Sequence, residues 1–235
     1  ELISERLQKE GFQTASFVAN GYVSEKFGFK QGWNKHVNYI REGKVSAARN
    51  VYKDAITWME QQKEAPFFLY IHTIDPHVPY SVGEEFSSLY YSKKYKGPVG
   101  KSVGGGHLAK ISGDHKKYDK NDYEWIKALY HGEVTYHDKH MGSLIKKMEE
   151  LDLMDDTLLI ITHDHGEELD DHGKLGHGHS LYEELNHAPL LVRYPAQLPQ
   201  GIVIDELVEL VDLAPTILDI FELKPSTDHE GVSLL

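Results

Sequence analysis

The 235-residue sequence contains no cysteine, which removes thiolate nucleophiles, zinc–thiolate sites and disulfides from the chemistry these residues can perform. It says nothing of the compartment. No apolar run approaches the length of a membrane span, and the first residues, Glu1 to Glu10, pattern as a charged amphipathic helix rather than a signal peptide. Positive charge is scarce, with 25 lysines and arginines against 37 aspartates and glutamates and a formal charge of −12. Such a chain repels a phosphate backbone. With its acidic residues spread along the chain, it reads as having no basic stripe for nucleic acid or anionic lipid, and a small anionic substrate would need local positive charge. What is plentiful is histidine, fifteen residues in all. Imidazole and carboxylate chemistry is therefore expected.

The hydrophobic fraction of 40% and charged fraction of 26% are those of a globular protein with one sizeable core or two modest ones. Leu2, Ile3 and Leu7 share a helical face, and Ala15 to Ala19 reads as a short buried strand. Residues 46–62 carry Val51, Ala55, Ile56 and Met59 at helical spacing, and Pro66 stops that helix before the apolar run Phe67 to Ile71. The Gly- and Lys-rich stretch from Tyr91 to Lys117 has no periodicity and is expected to be a long surface loop. Asp119 or Asn121 is placed to cap a helix that runs from Tyr123 to about Leu153. Aliphatic runs at Leu158 to Ile161, Pro189 to Val192 and Leu207 to Val211 follow, then a helix over 212–221. Helices alternating with buried strands imply one α/β domain over residues 1–235, a largely parallel central sheet with helices on both faces.

Three segments carry chemistry. The first is Thr162-His163-Asp164-His165-Gly166-Glu167-Glu168, at the end of an aliphatic strand, where ligands gather in open α/β sheets. Adjacent Asp and His offer an oxygen and an imidazole to one divalent cation, although composition alone does not separate a metal loop from a solvated acidic one. The second is Ile71 to Tyr80, in which Pro76 and Pro79 stiffen the chain around His77, so that its imidazole could donate a proton or hydrogen bond to an anion. The third is Gly176-His177-Gly178-His179, whose glycines permit close backbone approach. Its two histidines alternate and need not face the same way. Two other matches fail: Gly100-Lys101-Ser102 lacks the first glycine and preceding strand of a phosphate-binding loop, and Asp114 to Asp122 lacks the spacing of a calcium hand and reads as a helix cap.

Taken in order, these segments resemble the sulfatase family of the alkaline-phosphatase-like superfamily. The likeness is carried by Leu7 to Ala15, Phe67 to Tyr80, Thr162 to Glu167, Gly176 to Val192, Val211 to Thr216 and Gly231 to Leu235. The resemblance implies an alkaline-phosphatase-like fold and hydrolysis of sulfate esters by a formylglycine hydrate. It implies one divalent cation, calcium ahead of magnesium or manganese, with Asp164 and His165 as the later pair of ligands. His77 matches a histidine that binds the sulfate and helps proton transfer. His177 falls where a lysine commonly binds both sulfate and nucleophile, and His179 is the alternative group to face the anion. The implied partner is a small sulfated sugar or aryl ester, in a periplasmic or secreted setting by analogy with the family. A phosphate or phosphonate ester hydrolase or phosphotransferase of the same superfamily, or a non-catalytic anion-binding relative, is the alternative.

Departures from the family pattern are as informative. No Cys/Ser-x-Pro-x-Arg segment and no strand ending in paired aspartates occurs in these residues. The chain opens without methionine inside a helical pattern and stops where the smaller C-terminal subdomain of the family would start. The expectation is a partial catalytic domain, truncated at the N-terminus and silent by itself.

Overall fold

A computed structural model of the chain describes residues 1–62, 65–224 and 229–235. Along it run α1 (Ile3–Lys9), β1 (Gln13–Val18), β2 (Lys35–Asn38), α2 (Ala48–Met59), β3 (Phe67–His72), α3 (Glu84–Ser87), α4 (Gly105–Ile111) and α5 (Lys120–Glu150). There follow β4 (Leu159–Thr162), β5 (Glu168–Leu169), β6 (Leu175–Gly176), α6 (Glu183–Asn186), β7 (Leu190–Arg193) and α7 (Leu213–Ile220).

The α/β class holds, but the sheet is divided. A parallel sheet of order β2-β1-β3 stands apart from an antiparallel β4-β7 pair and a β5-β6 hairpin. In place of one large, mostly parallel sheet, the described residues form a small parallel one. β1 is central and buried from Thr14 to Val18. Phe17 and Ala15 of β1 pack with Val51, Ala55 and Met59 of α2 and with Leu144 and Met148 of α5 in a first core, which Phe67, Leu69 and Ile71 of β3 extend. The alternation of these β3 residues with Phe68 and Tyr70 puts the latter on the other face, where Trp33 stacks on Phe68 at 5.3 Å.

The segment expected to be a loop, Tyr91 to Lys117, is instead part of a second core. Val99, Val103, Leu108 and Ile111 are buried with Tyr80, Tyr123, Ile126 and Leu129, and Leu108 and Ile111 belong to α4. Periodicity missed them because four apolar side chains are spread among glycines and lysines, and they meet partners far away in sequence. The run Leu207 to Val211 is not a strand. Leu207 is fully exposed, and the chain makes only a short 3-10 turn at Leu210–Asp212 before α7.

Helix α5 joins both cores. Its 31 residues, about 47 Å of helix, pack Tyr123, Ile126 and Leu129 into the second core and Leu144 and Met148 into the first. Asp119 caps it, accepting from the Asn121 and Asp122 N–H groups at 2.8 and 3.1 Å, while Asp122 returns the bond to the Asp119 N–H at 2.9 Å. Between the two cores, midway along α5, His137 lies beneath the exit of β3.

Candidate active site

The site is built where β3 and β4 end. Leaving β3, the chain meets His137 first: Thr73 Oγ1 and Tyr52 Oη lie 2.9 and 3.1 Å from its Nε2. Two hydroxyls converging on one nitrogen fit an acceptor Nε2, with the ring proton on Nδ1. Burial, aided by nearby His163, pushes the His137 pKa down to about 4. Asp75 then accepts from the Ala48 N–H at 2.8 Å, capping α2 from across the chain, and burial raises its carboxyl pKa against that bond. Cis peptide bonds precede Pro76 and Pro79. Between them His77 is oriented by the Val78 carbonyl, 2.7 Å from Nδ1. Tyr80 is buried behind it and pairs its backbone with Val103 at 2.9 and 3.1 Å. Its hydroxyl lies against Glu167 without a well-formed hydrogen bond, and burial and that carboxylate push its pKa up.

Leaving β4, Asp164 Oδ1 accepts from the His165 N–H at 3.0 Å, and His165 Nδ1 lies 2.8 Å from the Gly166 carbonyl oxygen. With Nδ1 donating to that carbonyl, His165 Nε2 carries its lone pair, 3.9 Å from Asp164 Oδ1. Gly166 is required here, since a Cβ would stand 2.0 Å from the Glu184 carbonyl oxygen. Glu167 and Glu168 then turn back under the β5-β6 hairpin, pairing Glu168 with Gly176. Gly176 takes φ +93° at the end of β6, opposite Glu168.

Three of the five candidate residues form a row of rings. The His177 imidazole lies 5.1 Å from that of His77 and 4.2 Å from that of His165, centroid to centroid. Asp164 precedes His165, its side chain 63% exposed. His179 is engaged elsewhere: its Nε2 lies 3.1 Å from Glu168 Oε2.

Anchoring of these rings falls to residues that the sequence reading gave no role. Glu167 Oε1 takes His177 Nδ1 at 2.9 Å. Glu168, fully buried, accepts from His179, Ser180 and the Lys174 N–H, each at 3.1 Å. Burial works to raise its pKa, but those bonds win and hold it below the ordinary carboxylate value. Glu168, His172 and Glu184 also bring donor atoms within 4.8 Å of one another, as a cation site would. Glu184 already holds His172 Nδ1 at 2.5 Å, with the His172 ring stacked on Tyr182, so the group reads as a hydrogen-bonded clamp between hairpin and α6. The signal for Glu167 and Glu168 was their spacing of ten and eleven residues from His177 and His179, legible only once the hairpin register is known.

A sequence profile of the Sulfatase family matches residues 1–223. Arylsulfatase K of Mus musculus is 29% identical over 268 residues, which takes in 97% of this chain and 48% of that protein. An arylsulfatase of Clostridium perfringens is 25% identical over 228 residues, covering 92% of this chain and 44% of its own. The chain thus spans about half the length of the curated relatives it matches. Among solved structures, a protein in complex with its substrate D-glucosamine-2-N,6-O-disulfate superposes with a TM-score of 0.80 at 19% identity, over all of this chain and 63% of that one. A phosphonate monoester hydrolase of Agrobacterium radiobacter superposes with a TM-score of 0.77 at 18% identity, over all of this chain and 60% of its own.

Proposed function

Because the chain belongs to the sulfatase family, we propose that it is the anion-binding and metal-binding portion of a sulfate-ester hydrolase. The observation that carries this reading is the row of imidazoles, with His177 between His77 and His165. With Nδ1 of each ring held by a carbonyl or carboxylate, the protonated imidazoles of His77 and His177 can hold a tetrahedral oxyanion through Nε2–H and pass that proton to a leaving oxygen. His77 is assigned the proton transfer, because its Nδ1 is held by the Val78 carbonyl and its Nε2 remains for the substrate. His177 is assigned to the anion, in the place where a lysine is common. His179, turned to Glu168, supports the hairpin and is not assigned to the anion.

Asp164 and His165 are suited to a divalent cation by their chemistry. The Gly166 carbonyl fixes the His165 tautomer and leaves Nε2 as a donor atom beside an exposed carboxylate. Calcium is preferred over magnesium or manganese, and would act as a Lewis acid on the ester. The attacking group, a formylglycine on this reading, is assigned to sequence outside the 235 residues, and the substrate is a sulfated sugar or aryl ester.

A row of imidazoles does not distinguish sulfur from phosphorus, so phosphonate or phosphate monoesters are the second reading. Full-length protein, made with the formylglycine-generating machinery, is expected to cleave an aryl sulfate faster than the matching aryl phosphate and phosphonate. The His77→Ala variant should lose roughly a hundredfold in turnover. Calorimetry should show that Asp164→Ala binds the divalent cation more weakly. A full-length enzyme that prefers the phosphorus esters overturns the sulfate assignment, and wild-type cation affinity in Asp164→Ala removes that residue from the metal site.

A further inference from the structure

The charge of this protein is unevenly placed. Against a formal charge of −12 for the whole chain, residues 91–120 hold eight lysines and two aspartates. The expectation of no basic stripe therefore fails locally. Lys93, Lys94, Lys96 and Lys101 are exposed, and none of the four makes an ion pair among the described residues. They do not lie on a loose loop. Tyr95 between them stacks on Trp125 at 5.0 Å, donates to Asp122 at 2.5 Å and accepts the Val99 N–H at 3.1 Å. Tyr91 packs edge-on against the same Trp125, whose indole N–H donates to the Gly100 carbonyl at 2.6 Å. Aromatic packing and hydrogen bonds thus hold four like charges together on one loop, an arrangement that costs repulsion and favours an anionic partner.

The position of this lobe matters as much as its sign. Val103 pairs with Tyr80, three residues after His77, and Ser112 accepts the Leu175 N–H at 2.9 Å, two residues before His177. The basic lobe is joined to both loops that carry the candidate anion-binding histidines.

We infer that residues 91–120 form a docking surface for a sulfated glycan chain, so that the ester cleaved belongs to a polyanionic oligosaccharide whose neighbouring anionic groups rest on Lys93, Lys94, Lys96 and Lys101. This rests on the sulfate-ester reading of the site and names its substrate class more narrowly. A small aryl sulfate would fill the site and leave the lobe unused. A lipid surface or nucleic acid would bring phosphate groups and no sulfate ester to the histidine loops that the lobe is joined to.

The test uses the full-length protein and a heparin oligosaccharide, with affinity measured by calorimetry at low and physiological salt. The K93E/K94E/K96E/K101E variant is expected to bind at least about tenfold more weakly, with a flatter salt dependence. A control carrying the same charge change elsewhere, K26E/K35E/K53E/K146E, should bind close to wild type. In kinetics the lobe variant should raise KM for a sulfated oligosaccharide and leave kcat/KM for an aryl sulfate unchanged. Thermal melts establish that both variants are folded, and the milder Lys→Gln set should give an intermediate loss. Equal heparin affinity in the lobe variant overturns the proposal, as does an equal loss in the control, or tighter binding of duplex DNA or anionic vesicles than of heparin. Lobe-dependent heparin binding in a protein that releases sulfate from no ester would sustain the docking surface and defeat the sulfatase reading instead.

Discussion

On the β3 side of the site, His72 and His137 are partly buried and meet hydroxyls and an amide, whereas on the hairpin side His177 and His179 each meet a glutamate. Burial lowers the pKa of both imidazoles on the first side, and for His72 it outweighs the opposing pull of Asp164. Neutral rings there form a fixed polar floor. On the hairpin side a carboxylate takes one nitrogen of each ring and fixes its orientation. The nitrogens differ: His177 spends Nδ1 on Glu167 and keeps Nε2 for a ligand, while His179 spends Nε2 on Glu168. One hairpin thereby presents one histidine to the site and uses the other to hold itself in place.

The largest effect expected from this difference is structural. Glu168→Leu would leave the Lys174 N–H, the Ser180 hydroxyl and His179 without their acceptor beneath the hairpin. Breaking a buried charged network of this kind costs about 3–5 kcal/mol. Glu183→Leu, which removes a carboxylate 83% exposed and, among the described residues, paired with His187, should cost under about 1 kcal/mol. Urea unfolding of the full-length variants measures both. Similar losses from the two would mean that the hairpin side is not held by its buried carboxylate.

The next effect belongs to the β3 side and depends on pH. His137 in the fold titrates near 4, below the ordinary histidine value of about 6.5. Between those two values the unfolded chain takes up a proton that the folded chain refuses. Its contribution to stability is therefore complete above about 6.5 and is lost as the pH falls toward 4, by up to about 3 kcal/mol. His137→Gln, which keeps a polar group beside Thr73 without a titration, should flatten that part of the stability curve. Carboxylates elsewhere titrate in both proteins, so the difference between the two curves isolates His137. Parallel curves from pH 7 to 4 would show that the ring is not buried as a neutral acceptor.

How far the sequence made this site legible follows from how each part is held. β1, β3, α2 and α5 bury residues at strand or helical spacing, and local pattern is enough to find them. The basic lobe hides its core positions among glycines, because Val99 and Val103 are buried by contact with Tyr80 and α5 rather than by any periodicity of their own. The opposite case occurs at Leu207 to Val211, where a short apolar run lies exposed instead of forming a buried strand. β4 is intermediate: Leu159 to Ile161 form the expected strand, yet they remain partly exposed and join neither core. Among the candidate residues, Asp164, His165 and His77 were visible because they follow strands. Glu167 and His137 were not, since one acts across a hairpin and the other from the middle of a helix 64 residues beyond Thr73.

The smallest of the three effects is also the most specific to catalysis. An ionised Glu167 can only accept, so its contact with His177 requires a proton on Nδ1 and leaves Nε2 as the atom offered to the site. Glu167→Gln can keep that hydrogen bond through its amide oxygen while removing the charge, and Glu167→Ala removes both. If the carboxylate acts by positioning the ring and stabilising its cationic form, turnover of the full-length enzyme should fall about tenfold in the glutamine variant and about a hundredfold in the alanine variant. Nitrogen NMR of the His177 imidazole supplies a readout that simple packing would not move: the Nδ1–H tautomer should persist in Glu167→Gln and give way to a mixture in Glu167→Ala. Wild-type turnover in both variants, or an unchanged tautomer in the alanine variant, would reduce Glu167 to a packing residue behind Tyr80. The distinction between a ring-presenting glutamate and a hairpin-holding one would then rest on Glu168 alone.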